Sequence, residues 1–304
     1  MIRAGAVDCG TNSIRLLVAD VDGDRVHDVH REMRVVRLGQ GVDETGRLSG
    51  EALDRTFAAL RDYASICLET KVERLRMVAT SASRDAANAD EFVKGCTAIL
   101  GVRPEVLSGD DEARLSFRGA TAELPGNPAP YVVCDIGGGS TEVVLGTTDV
   151  EQSASVDVGC VRLTERRLHS DPPTADEIEA ATADISAAFD VVDKTVDVAN
   201  GATFVGLAGS VTTVAAIALG LPGYDPRAIH LARIPAVAVE DVTATLLRFT
   251  RAERAALPVM HPGRVDVIGA GALVLREALR RWNLAEVVAS ERDILDGIAF
   301  SLGS

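Results

Sequence analysis

The sequence predicts an α/β protein of two domains, and three observations carry that expectation. Short apolar runs rich in Val, Leu and Ile alternate with segments of helical spacing along the chain. One strand–turn–strand unit is written twice, once at the start and once near the middle. Between the copies, Leu124-Pro125-Gly126-Asn127-Pro128-Ala129-Pro130 is dense in the residues that punctuate chains. The boundary is placed there, giving lobes 1–124 and 125–304, with the last helix (about 291–304) expected to pack back on the N-terminal lobe.

The elements follow in order. Residues 3–8, 14–20 and 25–36 read as strands. Ser49 precedes Leu53, Phe57, Leu60 and Ala64 at helical spacing and is an N-cap candidate. Leu75–Thr80 reads as a buried strand, followed by a loop of small hydroxyls from Thr80 to Asn88 that carries Arg84. A helix is expected near 88–100, a short strand at 106–108, and a new helix from Gly109. After the repeated unit, 156–163 reads as a strand turning into a helix. A long helix over 174–198 has Thr174 as its cap before Glu177. Phe204 to Thr213 reads as strand, glycine turn and helix N-terminus. Helices near 240–256 and 265–281, a strand at 287–289 and a helix at 291–301 complete the chain.

The repeated unit points to chemistry. Asp8-Cys9-Gly10-Thr11-Asn12-Ser13 and Asp135-Ile136-Gly137-Gly138-Gly139-Ser140 align without a gap: apolar strand, carboxylate, glycine turn, hydroxyl, apolar strand. Glycine lets the backbone approach a ligand, and successive N–H groups of such a turn form a nest for anions. Thr11, Ser13, Ser140 and Thr141 add hydroxyl donors. Asp8 and Asp135 repel a phosphate directly, so a Mg²⁺ between carboxylate and phosphate oxygens resolves the conflict. Two such units predict two half-sites facing one another across a cleft.

Composition narrows the classes. A chain of 304 residues with 47% apolar content can bury a large core. It contains no apolar run of the roughly 18 residues that a membrane span needs. Met1–Gly5 leads straight into the first motif, so no signal peptide and a cytoplasmic location are expected. The cysteines at 9, 67, 96, 134 and 160 form no CxxC pair and are expected as free buried thiols. A net charge of −14 argues against nonspecific binding to nucleic acid or an anionic membrane. Only Lys71, Lys94 and Lys194 are lysine among the basic residues; the rest are arginine, which suits bidentate phosphate contacts.

Other side chains complete the set. Glu142, two residues beyond Ser140, is either a contact to metal or water or a solvated charge on an edge strand. Asp110 and Asp111 fit the dipole of a helix start. Glu112, followed by apolar Ala113, Leu115 and Phe117, is a candidate general base, the alternative being another charge at the helix start. Arg84 is the candidate cation for phosphate. Gly209-Ser210 opens a helix whose N-terminus is a third anion-binding geometry. Asp266 and Gly269-Ala270-Gly271 are read as tight helix packing, and His27 and His30 as surface residues.

Together with Ala79–Asn88, Leu107–Leu115 and Gly206–Thr212, these motifs resemble the exopolyphosphatase/guanosine pentaphosphate phosphatase (Ppx-GppA) family over residues 5–302. The resemblance implies two ribonuclease-H-like lobes of the actin/Hsp70/sugar-kinase superfamily. It implies Glu112 as general base and Asp135 and Glu142 at a divalent metal, Mg²⁺ or Mn²⁺, to which the repeated unit itself adds Asp8. It implies phosphate contacts at Asn12, Ser13, Arg84, Gly137, Gly138, Gly139, Ser140, Gly209 and Ser210, beside Thr11 from the turn itself. The departures are small: Asp110-Asp111-Glu112 stands where two glutamates often close the motif, and Ser210 where threonine is frequent. Long members carry a C-terminal extension of the HD type; with the chain stopping at Ser304, short polyphosphates are the expected substrate. Guanosine pentaphosphate is the alternative, and a superfamily kinase or a non-catalytic nucleotide sensor are the rivals of other classes. A homodimer is implied by the resemblance.

Overall fold

A computed structural model of the protein describes residues 1–23, 25–124 and 127–303. Pro125 and Gly126 of the expected linker lie outside the described residues. The chain divides into two compact units, Met1–Ala122 with Asp293–Ser304, and Glu123–Arg292.

The first unit opens with the antiparallel strands β1 (Ile2–Cys9), β2 (Ser13–Asp22) and β3 (Arg25–Val35). The short helix α1 (Val42–Thr45) and the long α2 (Gly50–Glu69) lead to β4 (Arg74–Ala79), which pairs parallel to β1. Then come α3 (Ser81–Asp85), α4 (Ala89–Leu100), β5 (Glu105–Val106) and α5 (Gly109–Thr121). The sheet order is β3-β2-β1-β4-β5. Side chains alternate faces along a strand, and the core divides accordingly. Val7, Cys9, Ile14, Leu16 and Val18 pack with Leu53, Leu60, Tyr63 and Phe92 of α2 and α4. Ala4, Ala6, Leu17, Ala19 and Val21 face the other way.

The second unit repeats the plan. Strands β6 (Tyr131–Ile136), β7 (Thr141–Gly146) and β8 (Val150–Val156) are antiparallel. After α6 (Cys160–Arg167) and α7 (Ala175–Val192), β9 (Thr203–Leu207) pairs parallel to β6. Next come α8 (Ala208–Ala218), α9 (Pro226–Ile229), β10 (Arg233–Pro235), α10 (Ala236–Arg248), α11 (Arg251–Ala255) and α12 (Ile268–Arg281). Finally β11 (Glu286–Ala289) pairs parallel to β9. The order β8-β7-β6-β9-β11 matches β3-β2-β1-β4-β5 strand for strand, with β10 added at one edge. The sequence repeat is therefore a repeat of fold, the ribonuclease-H-like plan written twice.

The last helix, α13 (Ile294–Leu302), belongs to the first unit. Ile294, Leu295, Ile298 and Ala299 cover the second face of the first sheet, beside α5. The second unit thus ends at Arg292 and does not run to the C-terminus.

Three elements differ from expectation. The hydroxyl loop after β4 is a turn of helix, α3, because the Thr80 carbonyl accepts from the Ser83 and Arg84 amides. The helix expected to reach 198 ends at Val192: the β-branched run Val191, Val192, Thr195, Val196 favours helix weakly, and Gln152 captures the Asp197 amide at 2.7 Å. The single helix expected over 240–256 is two, divided where extended Phe249 meets Thr250, which forms a capping box with Glu253.

Candidate active site

In an open sheet containing parallel strands, ligands bind beyond the carboxyl ends of those strands. At that edge of the first unit stand the ends of β1, β4 and β5. The turn after β1 is closed by the Gly10 amide donating to the Ser13 carbonyl, 2.9 Å. Thr11 is buried and its hydroxyl lies 2.9 Å from that of Ser81, at the start of α3. Asn12 and Ser13 are half-buried. The Thr80 amide donates to the Cys9 carbonyl and the Leu107 amide to the Ala79 carbonyl, tying the three strand ends together. Past β5, Ser108 caps α5 by accepting from the Asp111 amide.

That cap places Glu112 in the first turn of α5, 8% exposed. Arg84 Nη1 lies 3.5 Å from Glu112 Oε2 and donates to the Leu107 carbonyl at 2.9 Å. Arg84 is thus held by α5 and the strand end as well as sitting in the hydroxyl-rich segment. Asp111 and Arg114 pair with each other at the surface, as a helix-start carboxylate and its i+3 partner.

Asp8 is 4% exposed. Its Oδ2 accepts from Arg15 Nε at 3.0 Å and Nη2 at 2.7 Å. Its Oδ1 is buried without a hydrogen-bond partner among the described residues. Burial pushes the Asp8 pKa up against the pull of Arg15. Only Oδ1 is left for a ligand.

The second unit presents the same edge at β6, β9 and β11. The Gly137 amide donates to the Ser140 carbonyl at 3.0 Å, duplicating the bond of the first turn. Asp135 and Glu142 are directly opposed across β6 and β7, so their side chains share a face. Both are buried, at 7% and 1% exposure. Glu142 lies on an interior strand, which removes the edge-strand reading, and Ser155 donates to its Oε1 at 2.7 Å.

Behind the turn lies a support that the sequence does not disclose. The Cys160 amide donates to the Gly137 carbonyl at 2.9 Å, and the Val161 and Arg162 amides donate to the Gly138 carbonyl at 2.9 and 3.1 Å. The first amides of α6, which lack intrahelical partners, thus grip the turn. Gly159 makes the approach feasible: a Cβ there would stand 2.5 Å from the Gly138 carbonyl.

After β9 the expected glycine turn is absent. Helix α8 starts at once, with Ala208, not Gly209, at positive φ (67°). Gly209 serves a different purpose: the Arg264 guanidinium lies on it, where a Cβ would come within 2.4 Å of Cζ. Arg264 Nη1 donates to Thr213 at 3.1 Å, so a cation sits at the N-terminus of α8. Sequence reasoning missed Arg264; its only local signal is the Pro262-Gly263 turn before it. The Ser210 hydroxyl turns inward to the Cys160 thiol and to Gly271, where a Cβ would stand 2.1 Å from Oγ. Gly271 thus does mark tight packing, and what Ser210 offers a ligand is its backbone N–H.

No group of three or more His, Cys, Asp or Glu side chains that could hold a metal occurs among the described residues. The donors nevertheless suit one kind of ion. Mg²⁺ prefers hard oxygen, takes one or two carboxylates and fills its shell with waters and substrate oxygens. The buried Asp135–Glu142 pair supplies such donors. No helix among the described residues is long and apolar enough to cross a membrane.

Comparison with known proteins identifies the family. The model of the Ppx/GppA phosphatase family matches residues 17–303. Exopolyphosphatase 2 of Mycobacterium tuberculosis is 51% identical, the match spanning 99% of both chains. The crystal structure of an exopolyphosphatase-like protein superposes with a TM-score of 0.97 at 43% identity, over 99% of this chain and 98% of that one. An exopolyphosphatase from Cytophaga hutchinsonii superposes at 0.89 and 25% identity, over 99% and 97%. With its motifs in order, its doubled sheet and a family match from β2 to the last helix, the chain belongs to the Ppx/GppA phosphatase family.

Proposed function

We propose that the protein is an exopolyphosphatase, removing the terminal phosphate of inorganic polyphosphate by water attack. The observation that carries this reading is Glu112: a carboxylate withdrawn from water at the start of α5, beside Arg84. The name borne by a full-length relative supports the substrate class.

Glu112 accepts the proton of the attacking water as the new oxygen–phosphorus bond forms and the phosphoanhydride breaks. Within the second unit, the N–H groups of the Gly137–Ser140 turn and of the α8 N-terminus, with Arg264 at that terminus, are donors suited to stabilising charge on phosphoryl oxygens. Asp135 and Glu142 would hold the divalent ion, Mg²⁺ or Mn²⁺. When bound, the ion neutralises phosphoryl charge and orients the chain. Ser155 fixes Glu142 for that purpose.

Phosphate release from polyphosphates of defined length, guanosine pentaphosphate and ATP, measured side by side with Mg²⁺ or Mn²⁺, tests the reading. Short polyphosphate should give the highest kcat/KM. Preference for guanosine pentaphosphate would make the enzyme a nucleotide 5′-phosphatase, and no release from any of them would sink the hydrolytic reading. The turn makes a second prediction. Gly159→Ala should lower the melting temperature, because its Cβ meets main chain, and at temperatures where it remains folded should lower kcat/KM by about 100-fold, since a displacement near 1 Å costs that much. Wild-type kinetics would show that the α6 grip is irrelevant to the site.

A further inference from the structure

The two turns are copies, but one position in them is opposite in charge. In the second unit the residue across from the motif aspartate is Glu142; in the first it is Arg15. Arg15 occupies Asp8 Oδ2 with Nε and Nη2, while its Nη1 bonds Asp293 Oδ2. Asp293 is the N-cap of α13, its Oδ1 accepting the Leu295 amide at 3.0 Å. The guanidinium therefore lies between two buried carboxylates, each about 5% exposed or less. Asp8, Asp293 and Arg15 together carry one formal negative charge.

We infer that Arg15 is a positioning residue that makes the first turn a half-site holding no divalent cation of its own, leaving the cation to the Asp135–Glu142 pair. The inference rests on the metal reading proposed above. A carboxylate pair attracts a hard cation; a carboxylate bridged by a guanidinium has its charge met and one oxygen consumed. Arg15 also fixes the Asp8 carboxylate so that Oδ1 alone remains as an acceptor, buried and without a partner among the described residues. Such an atom is satisfied by a donor that comes with the ligand, such as a water. The duplicated turn has thus diverged into an ion-holding copy and a copy that binds through hydrogen bonds.

The test is Mn²⁺ binding to the full chain without substrate, by calorimetry and by electron paramagnetic resonance. The wild type should bind one ion and Glu142→Gln should weaken it. Arg15→Glu, which copies the second pair, and Arg15→Gln, which only removes the cation, should each raise the stoichiometry from one to two. Arg15→Lys keeps the charge and should keep one. A merely structural role would lose binding or leave it alone; it would not create a site. One ion in Arg15→Glu and in Arg15→Gln, both folded by circular dichroism, overturns the inference, as do two ions in the wild type. No ion in the wild type but one in Arg15→Glu would sink the Asp135–Glu142 assignment and uphold Arg15. No ion in any variant would overturn both. Should Arg15→Glu fail to fold, Arg15→Gln and Arg15→Lys decide.

Discussion

Replacing Glu112 with glutamine should lower kcat by about 10²- to 10⁴-fold, the range that a positioned general base contributes, while KM for polyphosphate stays within a few-fold. The substitution preserves volume and hydrogen-bonding reach, so packing around the first turn of α5 is disturbed little. What is lost is the ability to take a proton. Glutamine cannot accept one from water, and the Arg84 guanidinium 3.5 Å from Oε2 then faces a neutral amide. A loss confined to kcat marks an interaction realised in the transition state, not in substrate binding. Steady-state phosphate release, with a melting curve as the control for folding, decides the matter. A folded Glu112→Gln variant with wild-type kcat would remove Glu112 from the mechanism and leave the water to be activated by other means.

The residues differ in how far the sequence discloses them, and the reason is physical. Strands β1, β2, β6 and β7 are legible because their turns are local: apolar run, carboxylate, glycine and hydroxyl lie within a few residues, and the bond from Gly10 to Ser13 recurs from Gly137 to Ser140. Caps are legible for the same reason, as at Ser49 and Thr174. Thr250 with Glu253 carried the same signature, and its capping box divides what periodicity had joined into one helix. Side chains that act across the fold leave no local mark. Arg264 reaches Gly209 from far along the chain, Gly159 matters only because Gly138 lies behind it, and Arg15 is defined by its partners Asp8 and Asp293. Arg84 was legible as a cation near the turn; its hold on Glu112 was not. The inward turn of the Ser210 hydroxyl likewise depends on Gly271 and Cys160, which no spacing brings together.

Alanine at Gly119 or Gly297 should destabilise the first unit by about 3 kcal/mol, the upper end of the usual cost of overpacking, and lower the melting temperature by roughly 6–12 °C. These glycines are where α5 and α13 touch backbone to backbone. A Cβ on Gly119 would stand 1.8 Å from the Asp293 carbonyl oxygen, and one on Gly297 would stand 2.0 Å from that of Leu115. Both obstacles are main chain, so no rotamer change relieves the collision and the helices must part. Helix propensity acts in the opposite direction, since alanine is favoured over glycine by up to about 1 kcal/mol in a helix interior; a net loss therefore reports the contact itself. Gly50→Ala is the matching control, at the first position of α2 with open space around its Cβ, and should be neutral or slightly stabilising. Because α5 also carries Glu112, the displaced helix should reduce kcat at temperatures where the variant remains folded. Melting curves and urea midpoints for the three variants give the answer. Equal stability of Gly119→Ala, Gly297→Ala and the wild type would mean that the two helices are not seated against one another, and that the return of the chain end into the first unit does not position Glu112.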